Sequence, residues 1–244
     1  MRTGRFCVTL THMQGALSVV ATPIGNLEDI TLRAIRILTS ADLVLCEDTR
    51  VTKKLLAHYD ISTPCMSYHE HSGHTKHEKV TALLAEGKHL ALVSDAGTPG
   101  VSDPGVRLVE HVRASLAHDV HIETIPGPSA LVAALAIAGV PTEPCTFWGF
   151  PPHKKGRKTF FDTLADYQYT SVFYESPHRL VRALTALHER VDASAHVVVC
   201  RELTKVHECV VSGTAEEVLA YYAEHTDEVR GECVVIVVPH MAQH

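Results

Sequence analysis

The first half of the chain alternates short apolar runs with longer amphipathic stretches, and this alternation restricts the possible folds more than any other feature. The apolar runs have the length and residue types of strands, whereas the amphipathic stretches indicate helices. The strand-like runs lie at residues 17–22, 42–47, 64–68, 89–93 and 121–125, and the helix-like stretches at 29–39, 52–58, 75–86 and 106–117. Strands that alternate with helices predict an α/β domain with a mainly parallel sheet, which we place at residues 17–127.

The second half has a different pattern, because two strand-like runs, 196–201 and 208–212, follow each other without a helix between them. Consecutive strands of this kind pair antiparallel, which predicts a mixed sheet. The other strand-like runs are 145–149, 171–174 and 232–238, and the helix-like stretches are 158–166, 178–190 and 215–225. We therefore predict a second α/β domain at residues 143–239.

Composition supports a folded protein and indicates where in the cell it is located. The chain has 244 residues, of which 45% are hydrophobic, enough for two cored domains. The longest nearly apolar stretch, 129–140, is too short to span a bilayer, and the first residues lack the apolar core of a signal peptide. The seven cysteines form no C-x-x-C pair and are interpreted as reduced. A soluble cytoplasmic protein is expected.

The net charge of −6 disfavours binding of nucleic acid through a broad basic surface, but a local basic patch remains possible. One such patch follows the aromatic residues Trp148 and Phe150. Its cations are Lys154, Lys155, Arg157 and Lys158. Cations of this kind bind RNA phosphates while an aromatic ring stacks on an unpaired base. The alternative is a solvated loop with both aromatic rings in the core.

The turn after the strand-like run 89–93 contains Gly97, Gly100 and Gly105 together with two prolines. This spacing is not G-x-G-x-x-G, and no Lys-Ser or Lys-Thr pair follows it, so neither a dinucleotide fingerprint nor an NTPase is supported. Two further Gly/Pro-rich turns, 22–26 and 126–130, also follow strand-like runs. In a parallel sheet all three turns lie at one edge, where ligands usually bind.

Seven motifs resemble the ribosomal RNA branch of the tetrapyrrole-methylase-like (class III) methyltransferases. They are VATPIGNLEDIT at 20–31, CEDTR at 46–50, YHEH at 68–71, SDAGTP at 94–99, SDPG at 102–105, IPGPSA at 125–130 and FYESPHR at 173–179. The resemblance extends over about residues 17–239, in the same order. It implies S-adenosyl-L-methionine as methyl donor and the ribose 2′-hydroxyl of a cytidine in 16S rRNA of the small ribosomal subunit as acceptor. It also implies two α/β domains with the donor in the cleft between them, and a homodimer.

The resemblance further implies which residues surround the donor. Those expected from the first domain are Pro23, Ile24, Gly97, Thr98, Pro99, Val101 and Ser102. Those expected from a helix start and from the second domain are Ser129, Ala130, Tyr174, Leu203, Gly231 and Glu232. Backbone N–H groups at a helix start and glycine-rich turns suit a nucleoside, while carbonyls and carboxylates suit a sulfonium cation.

A proton acceptor for the hydroxyl is sought among carboxylates that follow apolar strands. Asp95 and Glu175 are the favoured candidates, because each lies directly after such a strand. The others are Asp48, Glu70 and Glu202, with Arg50, Arg179 and Arg201 to hold phosphate or carboxylate. The histidine-rich segment 69–78 has no cysteine, and no metal is expected there.

Two alternatives remain open. The first is methylation of a tetrapyrrole ring carbon, which the resemblance disfavours because the family's Gly-Asp-Pro turn reads Gly97-Thr98-Pro99 here. The second is a non-catalytic ribosome-assembly factor that binds RNA. Three converging turns argue against it, since RNA binding alone needs no small-molecule pocket.

Overall fold

The computed structural model describes residues 15–69, 74–103, 105–116 and 119–239. They form two compact units. The first contains residues up to Pro23 and Leu27–Gly127, and the second contains Ile24–Asn26 and the chain from Pro128 onwards. The chain therefore leaves the first unit briefly after its first strand. No helix in the described part of the chain is long and apolar enough to cross a membrane.

The first unit is built on a five-stranded parallel sheet with strand order β3-β2-β4-β1-β5. Its strands are β1 (Gly15–Val20), β2 (Leu43–Cys46), β3 (Cys65–Ser67), β4 (His89–Val93) and β5 (Val120–Ile125). Its helices are α1 (Leu32–Ser40), α2 (Thr49–His58), α3 (His74–Ala85) and α4 (Val106–Leu116). The predicted parallel α/β arrangement is confirmed.

The helices of the first unit cover both faces of this sheet, which is why its central strands are apolar almost throughout. Leu38 of α1 and Leu56 of α2 pack in the cluster on one face, whereas Leu84 of α3 and Leu108 of α4 pack in the cluster on the other. The neighbouring strands β1 and β4 are therefore followed by helices on opposite faces. Such a switch point opens a crevice at the carboxyl ends of the two strands.

The second unit contains a mixed sheet with strand order β6-β7-β10-β8-β9. Its strands are β6 (Cys145–Phe147), β7 (Thr170–Glu175), β8 (His196–Arg201), β9 (Cys209–Thr214) and β10 (Cys233–Val238). Its helices are α5 (Ala130–Ile137), α6 (Arg157–Ala165), α7 (Pro177–His188) and α8 (Ala215–Glu224). Strands β8 and β9 pair antiparallel, as expected from the missing helix between them, and only β6 pairs parallel among the described strands of this sheet.

Helix α5 lies in the stretch between the two predicted domains and packs with the second unit. It occupies most of the apolar stretch 129–140. Because this stretch has no polar residues on one side, hydrophobic periodicity could not identify a helix there. Ala134 of α5 packs with Ile24, Val172 and Leu203 on one face of the mixed sheet. Helices α6, α7 and α8 cover the other face.

Candidate functional site

The three Gly/Pro-rich turns of the first unit meet at the carboxyl edge of its sheet. Thr22 and Gly97 exchange backbone hydrogen bonds of 2.9 and 3.1 Å, which join the turn after β1 to the turn after β4. The Thr22 hydroxyl also donates to the Ser94 carbonyl at 3.1 Å. At the turn after β5, a Cβ added to Gly127 would lie 3.1 Å from the Ala21 Cβ. The three turns are therefore in contact with one another at this edge.

The turn after β4 depends on glycine. Gly97, Gly100 and Gly105 have φ values of 85°, 84° and 145°, a range that side chains disfavour. A Cβ at Gly105 would lie 3.1 Å from the Leu92 Cδ2 and 3.2 Å from the Gly100 nitrogen. Ser102 adopts φ 61° without being glycine, and such backbone strain clusters at ligand sites.

Carboxylates gather at the same edge. The Asp48 backbone N–H, after β2, donates to the Asp95 Oδ1, after β4, at 3.2 Å. Burial, followed by the charges of Asp103 and Asp95, raises the pKa of Glu47 to about 7, and its Oε1 is buried without a hydrogen-bond partner. We did not predict Glu47 from the sequence, although it follows strand β2 much as Asp95 follows β4.

Asp48 and Arg50 are already engaged with each other. Asp48 is the N-cap of α2 and accepts the Arg50 backbone N–H at 2.8 Å. Its carboxylate also receives the Arg50 Nε and Nη2, the latter at 2.6 Å, and these bonds lower the pKa of Asp48 to about 2. A carboxylate this acidic is a poor proton acceptor, so Asp48 serves as a helix cap.

The Glu47→Gln variant is expected to lose the pH dependence of stability that this carboxyl causes. Its folded pKa of about 7 exceeds the ordinary 4.5, so the stability linked to the protonated form is complete below pH 4.5 and is lost as pH rises through 7. Glutamine does not ionise. Thermal melts should show Glu47→Gln gaining about 2–4 °C on the parent between pH 5 and pH 8.5, since partial exposure reduces the effect to about 1 kcal/mol. Parallel pH profiles would contradict this, and exposed Glu86→Gln is the control.

In the second unit, four of the predicted donor-binding residues lie in one apolar cluster. Ile24, Ala130, Tyr174 and Leu203 pack on the α5 face of the sheet. The Tyr174 hydroxyl accepts the backbone N–H of Leu131, in the first turn of α5, at 3.0 Å. Ser129, the N-cap of α5, makes no side-chain capping bond.

Glu202, Gly231 and Glu232 form a second group in this unit, held together by Lys205. The Lys205 Nζ donates to Glu202 Oε1 at 2.8 Å and to Glu232 Oε2 at 2.9 Å, and the Glu232 N–H donates to Glu202 Oε1 at 3.0 Å. Burial opposes ionisation of Glu202, but these bonds outweigh it and lower its pKa. Glu202 has φ 53°. A Cβ added to Gly231 would lie 2.2 Å from the Glu202 Cδ, so only glycine fits beside this side chain. It anchors this turn.

Glu175, a favoured proton acceptor from the sequence, is fully occupied. Its side chain is 0% exposed. Oε1 accepts the Ser176 N–H at 2.9 Å and the Arg179 Nε at 2.7 Å, while Oε2 accepts the Arg157 Nη2 at 2.8 Å. Because both oxygens bind cations or amides away from solvent, this geometry speaks against proton transfer to Glu175. Asp95, which is exposed, remains the candidate.

The basic cluster divides into a buried and an exposed part. Arg157 is 5% exposed and ion-paired, so it cannot reach an RNA phosphate, and our prediction of an RNA contact needs correction at this residue. Lys154, Lys155 and Lys158 are exposed. Of the two aromatic residues, Phe150 is 51% exposed, whereas Trp148 packs against the core.

The other predicted candidates are Arg201, Glu70 and the histidine-rich segment. Arg201 is buried in the second unit, with its Nη2 3.5 Å from Glu228 Oε2. Glu70 lies outside the described residues, as does part of the histidine-rich segment. Among the side chains that the structure describes, no three of the metal-ligating types are grouped closely enough to hold an ion.

Comparisons with known proteins agree with this architecture. The family model for Tetrapyrrole (Corrin/Porphyrin) Methylases matches residues 16–219. The chain is similar to a "Ribosomal RNA small subunit methyltransferase I" from Halalkalibacterium halodurans, with 46% identity over 92% of this chain and 76% of the relative. A protein of the same name from Synechocystis sp. is 45% identical over 91% of this chain and 78% of its own length.

Among solved structures, the methyltransferase CobJ is similar with a TM-score of 0.67. It is 20% identical, with 94% of this chain and 96% of that chain covered, which shows a common fold. The family match and the close relatives together cover both described units. The chain therefore belongs to the tetrapyrrole methylase family and, within it, to the ribosomal RNA small subunit methyltransferase I proteins.

Proposed function

We propose that this chain transfers a methyl group from S-adenosyl-L-methionine to the ribose 2′-hydroxyl of a cytidine in 16S rRNA. The names of its close relatives support ribosomal RNA as the substrate. The observation that carries the proposal is the convergence of three Gly/Pro-rich turns and several carboxylates at a switch point of the parallel sheet. This edge offers the chemistry that an adenosyl sulfonium ligand requires.

The residues at this edge fit the donor. Asp95 and Asp103 supply negative charge beside the glycine-rich turn, and Glu47 adds to it when ionised; a sulfonium cation is stabilised by carboxylates and carbonyls. In the first unit the donor-binding residues are Pro23, Gly97, Thr98, Pro99, Val101 and Ser102. In the second unit they are Ile24, Ser129, Ala130, Tyr174, Leu203, Gly231 and Glu232.

When bound, the donor supplies a methyl group already activated by the sulfonium charge. The chain contributes positioning, because holding the hydroxyl oxygen in line with the methyl carbon removes up to about 7–11 kcal/mol of the barrier. Asp95 would accept the proton that the ribose hydroxyl loses, and the donor would leave as its neutral, demethylated thioether. A general base of this kind contributes about 10²–10⁴-fold.

RNA binding is assigned to the exposed cations that follow Phe150. Lys154, Lys155 and Lys158 neutralise phosphates, and the half-exposed Phe150 ring is available to stack on an unpaired base. The net charge of −6 favours recognition within an assembled small subunit over naked RNA. A homodimer and a cytoplasmic location complete the proposal.

Incubation with methyl-labelled donor tests the proposal against both alternatives. We expect label in 16S rRNA when small ribosomal subunits are supplied, with the phosphodiester next to the labelled cytidine resistant to alkali because the attacking 2′-oxygen is blocked. Label in a porphyrinogen instead would indicate tetrapyrrole methylation. Tight RNA binding without transfer, and without calorimetric binding of the donor, would indicate an assembly factor.

A further inference from the structure

Lys154 and Lys155 are carried by a connecting segment, whereas Lys158 lies in α6. This segment, residues 150–156, connects β6 to α6 and is called the lysine loop. It contains two prolines and ends at Gly156 with φ 87°. It belongs to no strand, and side chains from other elements contact it. Two of these side chains, those of Arg157 and Arg179, are also bound to Glu175.

The first anchor is Arg157. Its Nη1 donates to the Pro152 carbonyl at 3.4 Å, while its Nη2 binds Glu175 Oε2 at 2.8 Å. Its guanidinium also lies over the Phe161 ring, 5.0 Å from the centroid. Since Arg157 is 5% exposed, its side chain fixes the base of the loop and does not extend into solvent.

The second anchor is Arg179 in the first turn of α7. Its Nε binds Glu175 Oε1 at 2.7 Å, and its Nη1 lies 3.0 Å from the Nε2 of His153, the residue before the two lysines. One carboxylate therefore orients two guanidinium groups, each of which contacts the lysine loop. The three groups together keep one positive charge, which favours an anion beside the loop.

We propose that Glu175 is a positioning residue that holds the lysine loop, through Arg157 and Arg179, in a shape ready to bind phosphates of ribosomal RNA. The inference rests on the proposed function for the identity of the RNA. The Phe150 ring, 5.4 Å from Tyr174 in an edge contact, is fixed at the start of the same loop. Preorganisation matters here because ordering long, charged side chains at binding costs entropy.

The Glu175→Gln variant tests this role, because an amide presents its NH₂ group to one of the two arginines and releases that anchor. We expect the KM for 16S rRNA to rise roughly tenfold with kcat nearly unchanged. A rise of this size corresponds to the loss of one or two phosphate contacts. Tryptic cleavage after Lys154 and Lys155 in the folded protein should accelerate. Donor affinity by calorimetry should stay the same. Glu175→Asp, which keeps the charge, should restore part of the protection.

Asp162→Asn is the matched control, because it breaks an exposed carboxylate–arginine pair with Arg190, 2.9 Å, in the same unit. It should change neither the RNA KM nor cleavage at the loop. If Glu175→Gln lowers the melting temperature too far, Arg179→Gln keeps the Arg157–Glu175 pair and should show smaller changes of the same kind.

A fall in kcat without faster cleavage or a higher KM would overturn the proposal, since Glu175 would then act in the chemical step. Unchanged cleavage and unchanged RNA affinity would overturn it as well. Absence of methyl transfer in the parent would instead refute the proposed function, while the cleavage comparison would still report whether Glu175 anchors the loop.

Discussion

Replacement of Asp95 by asparagine is expected to lower kcat for methyl transfer to ribosomal RNA by about 10²–10⁴-fold, the usual contribution of a general base. The fold should tolerate the change, because Asp95 is exposed. The Asp48 backbone N–H, which donates to the Asp95 carboxylate at 3.2 Å in the parent, can donate to the amide oxygen of the variant instead. The variant loses the ability to take the hydroxyl proton and one of the negative charges beside the sulfonium. Melting temperature should stay close to that of the parent, and any loss of donor affinity should be much smaller than the loss of kcat.

Single-turnover assays at saturating donor and RNA measure this effect without interference from product release. Glu47→Gln is the informative companion, because Glu47 lies at the same edge with a pKa of about 7. If Asp95→Asn turns over at the parent rate while Glu47→Gln is slow and loses an inflection near pH 7, the proton acceptor is Glu47. Equal rates in the parent and in both variants would show that neither carboxylate at this edge acts as a general base.

The strands and the location of the candidate site could be predicted because both depend on local signals. Apolar runs of strand length, separated by amphipathic stretches, indicated every strand of both sheets to within a few residues. The parallel order then placed the turns after β1, β4 and β5 at one edge, where Thr22 and Gly97 are hydrogen-bonded.

The states of individual side chains could not be predicted, because burial and pairing depend on residues distant in sequence. Glu175 ends an apolar strand and Asp95 follows one, yet Glu175 is buried and bound to two arginines whereas Asp95 is exposed. Arg157 belongs to a basic run but points into the core. Helix α5 lacks a polar face, so periodicity could not define it.

Within the basic cluster, Arg157 and the two neighbouring lysines are expected to behave in opposite ways. Arg157→Ala leaves the buried Glu175 carboxylate with Arg179 as its remaining cation, and the loss of a buried hydrogen bond to a charged group costs about 1.5–3 kcal/mol. For a chain of this size, such a loss lowers the melting temperature by roughly 3–12 °C. Thermal melts and urea titrations measure it, with exposed Lys158→Ala as the control.

The Lys154→Ala/Lys155→Ala double variant should instead change RNA binding alone. Exposed substitutions alter stability by no more than about 0.5 kcal/mol. Each phosphate contact that is lost reduces the slope of log affinity against log salt by roughly 0.7 for single-stranded RNA. A parent-like salt slope in the double variant, or a parent-like melting temperature in Arg157→Ala, would contradict the division of this cluster. Both results together would mean that its buried and exposed cations had been assigned the wrong roles.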